Sequence, residues 1–313
     1  MNATQGWVPT IDEAVTDAPA GPANNYGIFG FGDDASGATA VTYLVSNVGV
    51  VGSAVTGVGT ARSEGAACEY GMQKGIFGFG AQNPSGTKYG VTNLVSNTGV
   101  VADDVSAVGT ARKLLGAATY GGDKGIFGFG YAAANSDTTN LVSNAGVVAS
   151  DGSGVGTARY GVAACEYSAD KDKAIFGFGY IGSSVLIDET NLVSNTGVVA
   201  SDVTGVGTAR RSLAACSYGG DKGIFGYGKT ASYTAVTNLV SNVGVVATDV
   251  TGVGTARGYL AACEYGLDKA IFGFGYTGSH VGMTNLVSNA GVVATDVTAV
   301  GAGTAAPSAC SYG

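Results

Sequence analysis

One histidine, His280, limits the chemistry open to this chain of 313 residues. A serine–histidine–aspartate nucleophile would have to be assembled around the loop that holds it, and a metal site built from several histidines is impossible. His280 is therefore expected in a solvated loop, where it can touch a ligand. No catalytic residue, no metal and no cofactor is expected. Five cysteines, Cys68, Cys165, Cys216, Cys263 and Cys310, recur at one position of a repeated pattern. A disulfide needs Cα atoms within about 7 Å, and equivalent positions of successive units are rotated apart. Zinc is the sharper reading, but no Cys-x-x-Cys or histidine spacing accompanies these residues. They read as free, buried thiols that pack as small apolar groups.

Three polar sets recur with the same period. Asp104, Asp151, Asp202, Asp249 and Asp296 can ligate calcium through oxygen or close Asx-type turns, and Ala54 in their place in the first unit favours the turn. Arg62, Arg112, Arg159, Arg210 and Arg257 can make an anion-binding ring or pair with the Asp set and backbone carbonyls, and the structural role is favoured. The last unit has no Arg at the matching place. Asn47, Asn97, Asn144, Asn195, Asn242 and Asn289 are expected to satisfy turn backbone. Glu69, Glu166 and Glu264 stand in a lining of Ala and Cys too uniform for an asymmetric active site.

Behind these sets lies a repeat. Ile-Phe-Gly-Phe/Tyr-Gly begins at Ile28, Ile76, Ile126, Ile175, Ile224 and Ile271, at spacings of 48, 50, 49, 49 and 47. Such a period means a solenoid or a propeller. The chain divides into an arm, 1–24, and a repeat domain, 25–313, with units starting near 25, 72, 122, 169, 220 and 267. In the fifth unit, Lys222–Gly228, Thr237–Asn242, Val245–Val250 and Gly258–Tyr265 are β-like runs bounded by turn residues. No helical period is found. The expected fold is an all-β, six-bladed β-propeller with four antiparallel strands per blade. The first unit begins at its second strand, Tyr26–Phe31, and the missing strand stands at the other terminus, Pro307–Tyr312, so the C-terminal strand is expected to join the first blade and close the ring. All eleven Phe lie in the pentapeptide, with Tyr227 in the twelfth slot. Strand alternation would send both aromatics to one face, over the glycine face of the next blade.

The order Arg, small apolar strand, Gly turn, then Lys-Gly-Ile-Phe-Gly-Tyr-Gly, seen from Arg210 to Gly228, resembles the kelch repeat. Kelch repeats form propellers of four-stranded blades, although the kelch double glycine and fourth-strand Trp are missing here. The phrase Thr-Asn-Leu-Val-Ser-Asn-x-Gly-Val-Val-Ala is similar to repeat proteins predicted in tailed-phage genomes, over all six units. That resemblance implies a virion component: a capsid decoration, fibre or tail protein, in an extracellular particle, multi-copy or homo-oligomeric among other virion subunits.

The units differ most in the loops after the pentapeptide, Asp33 to Val41, Ala81 to Val91, Tyr131 to Thr138, Tyr180 to Glu189, Lys229 to Val236 and Tyr276 to Met283. Their Tyr89, Tyr131, Tyr180, Tyr233 and Tyr276, amid Ser, Thr, Asn and Gly, suit a contact surface for a host glycan or protein; relaxed drift in exposed loops is the plain reading. All six should emerge on one face. A carbohydrate-binding propeller, or a cell-surface scaffold, is the second reading. In the arm, Trp7 and Ile11 are the candidate anchors. The net charge of −8 argues against nucleic acid, and no apolar run of membrane-spanning length or signal-peptide pattern is present.

Overall fold

A computed structural model describes residues 25–298 and 301–313. Among them every regular element is a strand, and no helix is long and apolar enough to cross a membrane. The candidate anchors Trp7 and Ile11 lie outside the described residues.

Each unit forms a three-stranded antiparallel sheet with its pentapeptide strand in the middle. Sheet 2 shows the plan: Ala66–Tyr70, Lys74–Gly78 and Thr92–Val95. Sheet 3 begins at Gly116–Tyr120, sheet 4 at Ala163–Tyr167, sheet 5 at Ala214–Tyr218 and sheet 6 at Ala261–Tyr265. Sheet 1 is built from both ends of the described chain. Its first strand is Ser308–Tyr312, paired along Tyr26–Gly30 in the register Tyr26↔Tyr312 to Gly30↔Ser308, and Thr42–Val45 follows.

The expected fourth strand does not form as a ladder. Val245 to Val250 runs beside the third strand of sheet 5 but meets it only at two isolated bridges, Val240↔Val246 and Thr237↔Val250. The reason is a side chain. Asn238 turns its amide outward and donates to Ala247 O at 3.0 Å and Asp249 Oδ1 at 2.9 Å, so a side chain takes the place of ladder bonds. The turn before this segment is fixed by Ser241, whose Oγ accepts from Val245 N at 3.1 Å, and by Gly244 at a φ of +80°.

Backbone hydrogen bonds join the six sheets into closed cycles. Just before each first strand, one residue donates to its counterpart in the preceding unit: Leu114 to Glu64, Gly161 to Leu114, Ser212 to Gly161, Tyr259 to Ser212, Ala306 to Tyr259, and Glu64 to Ala306. These positions hold a left-handed φ of 47–68°, a strained state for the non-glycine residues, and the cycle of bonds holds it. A second cycle runs through the turns between first and middle strands, from Gly71→Asp123 round to Gly266→Asn25 and Gly313→Gln73. Each cycle includes the two ends of the described chain, so the first strands of sheets 6, 1 and 2 are neighbours in that order.

Aromatic rings fill the gaps between sheets. A Cβ added to Gly30 would stand 2.9 Å from the Phe77 ring, one on Gly128 would stand 2.7 Å from Phe176, and one on Gly273 would stand 2.7 Å from Phe29. Rings therefore lie on the glycines of the neighbouring sheet all the way round. The second aromatic departs from strand alternation. Phe31, Phe79, Phe129, Phe178, Tyr227 and Phe274 have φ of 60–63°. That left-handed residue turns its ring to the opposite side, so Phe29 meets Phe274 of sheet 6 at 5.1 Å while Phe31 meets Phe77 of sheet 2 at 5.1 Å.

Candidate functional site

Most of the repeated polar residues are structural. Arg159 is fully buried; it donates through Nε to Phe178 O at 2.9 Å, through Nη1 to Thr157 O at 3.0 Å and through Nη2 to Asn191 Oδ1 at 2.6 Å. Its guanidinium lies 4.2 Å from the centre of Phe129 in the preceding sheet, which ties the two sheets together. Burial lowers its pKa to about 10, with Asp202 opposing. Asp202 accepts from Thr157 and Asn191. Burial works against its charge, but those bonds and Arg159 prevail, and its pKa falls below the usual carboxylate value. Thus the Asp oxygens are engaged by protein donors. Sheet 1 has Thr304, Tyr43 and Ala54 at the Arg, Asn and Asp places. The two sequence anomalies, at opposite ends of the chain, are one replaced network: the Tyr43 ring stands 5.0 Å from Phe274, where the other sheets place an Arg over the equivalent ring.

The Asn set expected in turns behaves differently. Asn144, Asn242 and Asn289 donate to the side chains of Asp123, Asp221 and Asp268, not to turn backbone. The five cysteines are free and buried. Cys68 Sγ packs where a Cβ on Gly125 would lie, and burial raises its pKa far above the ordinary thiol value.

At the centre, the first strands surround a narrow channel of about 30 Å³, space for roughly two waters. Beside small Ala and Cys residues, each strand lines it with one polar side chain, and Glu69, Thr119, Glu166, Ser217, Glu264 and Ser311 alternate acid and hydroxyl around the ring. Oxygens of the three carboxylates lie within 4.8 Å of one another, a set that could hold a cation. The protein supplies one, because Lys171 Nζ pairs with Glu264 Oε2. Lys171 comes from the turn of sheet 4, Ser168 to Asp172, which is two residues longer than Gly121 to Asp123 in sheet 3. Ser217 donates to Glu166 at 2.6 Å. Burial, then Glu166, pushes Glu69 up to about 8, with Lys171 opposing. Burial pushes Glu264 up to about 7, again against Lys171.

The variable loops follow the same end of each middle strand, and neighbours touch: Asn83 Nδ2 donates to Asp33 at 3.0 Å, and Asn135 Nδ2 donates to Ile181 O at 2.9 Å. In unit 4 the loop is itself a hairpin that extends the strands to Lys173–Gly182 and Val185–Val193. The inner edge of this face is a series of bridges between the residue after the repeated Arg and the residue after the pentapeptide. Sheets 3 to 6 place Lys113↔Tyr131, Tyr160↔Tyr180, Arg211↔Lys229 and Gly258↔Tyr276 there. Tyr131, Tyr160 and Tyr180 meet edge to face at 5.4 and 5.3 Å. Tyr233, Tyr276 and His280 form a second row at 6.3 and 5.4 Å. His280 Nε2 lies 3.3 Å from Asp33 Oδ2. Tyr89 stands apart, donating to Gln82 within its own loop at 2.9 Å. Tyr160 and Arg211 were not among the sequence candidates; their signal is a residue after Arg that changes from unit to unit while the Arg does not.

No protein-family model matches the chain, and no curated protein matches it.

Proposed function

We propose that the chain is a six-bladed β-propeller, its fourth strand reduced to the bridged outer segment, that acts without catalysis as a binding protein of a phage particle. The closed cycles of inter-sheet hydrogen bonds support the propeller. The virion assignment rests on the likeness of the repeat to phage repeat proteins. Fold does not fix function, so the binding reading rests on the site.

The observation that carries it is where the symmetry breaks. The Arg, Asn, Asp and Phe frame is nearly constant, whereas the inner edge of the variable-loop face changes from sheet to sheet and gathers half-buried tyrosines. A fixed frame that presents changeable Tyr-rich loops is a recognition surface. Among the described residues, the channel is the place where burial raises carboxylate pKa values as in catalytic groups. At about 30 Å³ it admits roughly two waters and no organic substrate.

The test is an antibody against residues 25–313, applied with gold to particles from the culture the sequence came from. Gold on a capsid or tail supports a virion component and says which part. Gold on cells alone contradicts it.

A further inference from the structure

We propose that sheets 3 to 6 of the variable-loop face form a binding site for an acidic polysaccharide; this rests on the reading of that face as the contact surface and adds what it contacts. Three cations lie there over phenol rings: Lys88 Nζ 5.3 Å from the centre of Tyr131, Arg211 Cζ 4.6 Å from Tyr180, and Lys229 Nζ 5.0 Å from Tyr233. None of the three has a carboxylate within ion-pair distance among the described residues. Lys113 on the same edge pairs with Glu64, and on the opposite face Lys124, Lys222 and Lys269 each pair with the adjacent Asp. The loops of sheets 3 and 4 also carry Asp137, Asp188 and Glu189, but these three cations have no direct ion pair among the described residues and so offer a local complement for negative charge.

The rings supply the other half of the chemistry. Tyr131, Tyr160 and Tyr180 form a continuous row, and Tyr233 and Tyr276 form another, all half-buried. The ring edges and the faces left uncovered by the cations take the C–H groups of a pyranose, and the guanidinium and ammonium groups take its carboxylate or sulfate. The ligand lies along a surface, which suits a chain of sugars. The bridged positions of sheets 1 and 2 differ, Asp33↔Ala305 and Ser63↔Ala81, and Asp33 already holds His280 and Asn83, so sheet 2 contributes only Lys88, which reaches from its loop over Tyr131. The site is thus one-sided. Nucleic acid is disfavoured, because its affinity rests on neutralising many phosphates, and among the described residues this row of rings offers three cations without an ion pair.

The experiment is an array of uronate-, sialate- and sulfate-bearing glycans beside their neutral parents and a single-stranded oligonucleotide, probed with the full chain at low salt. Binding to one or more acidic glycans, and not to the neutral parents, is expected. Arg211→Gln and Tyr180→Ala should each weaken it about tenfold or more with melting temperature held. Lys222→Gln, on the other face, should leave it unchanged. No acidic glycan bound, equal binding to neutral parents, tighter binding to the oligonucleotide, or equal loss with Lys222→Gln would each overturn the proposal. Gold-labelled particles without glycan binding would sink this inference alone; glycan binding without labelled particles would sink the virion reading and leave this one.

Discussion

Removing the Phe176 ring tests the interleaving of sheets most sharply when Gly128 is changed with it. Phe176 is fully buried, its Cζ lies where a Cβ on Gly128 would come within 2.7 Å, and Phe129 meets its edge at 5.2 Å. Phe176→Ala should cost about 3–5 kcal/mol, from lost transfer energy and the cavity left behind. Gly128→Ala alone should also destabilise, by about 1–3 kcal/mol, since the new methyl meets a ring packed on all sides. Together the changes should not add. With the ring gone, the methyl enters the cavity, so Gly128→Ala should cost little in the Phe176→Ala background. The coupling should exceed about 1 kcal/mol, well above the few tenths expected for independent sites. Urea melts of the parent, the two single variants and the double variant give the four free energies. Additive losses would refute the placement of Phe176 on Gly128 and the ring-on-glycine packing with it.

Other expectations follow from the same contacts. Arg210→Met should destabilise by about 3 kcal/mol or more in a urea melt, because Tyr227 O and Asn238 Oδ1 lose a buried charged donor; an unchanged midpoint would deny its role between sheets. Glu69 and Glu264 hold pKa values raised to about 8 and about 7 by burial, so the folded state binds more protons than the unfolded one above the ordinary value of 4.5. Their stabilising effect is therefore present below pH 4.5 and lost as pH rises through 7 to 8. Melting temperature should fall from pH 5 to pH 8, and a double Gln variant should flatten that slope. Deleting Ser308 to Tyr312 strips Tyr26–Gly30 of its partner strand; circular dichroism should show a molten or unfolded chain, and an unchanged melt would contradict the pairing of the termini.

The repeat, the all-β class, the number of units and the pairing of the chain ends were legible in the sequence, because period and phase are one-dimensional properties. What was not legible depended on backbone handedness or on contact between units. Strand alternation assigned Phe29 and Phe31 to one face; the left-handed φ at Phe31 is not written in residue type, since bulky residues seldom adopt it. The outer strand looked continuous in Val245 to Val250, and only the fold shows Asn238 bonding into it. In the channel, the six positions alternate acid and hydroxyl in plain sight, but Lys171 reaches them across the ring from sheet 4 to Glu264 of sheet 6. The loop tyrosines were named from variability. Their neighbours Tyr160 and Arg211 carry a weaker mark in the sequence, because each adjoins a repeated Arg whose role is structural.

The amide of Glu64 tests the closed ring most directly. It donates to Ala306 O at 3.1 Å, from the other end of the chain, while Gly161 makes the same bond to its sequence neighbour unit, Leu114, at 2.8 Å. Native-state hydrogen exchange should show the two amides protected to a similar degree, as members of one cycle. Fast exchange at Glu64 beside a protected Gly161 would mean that the units stack as an open series, and the propeller would fall.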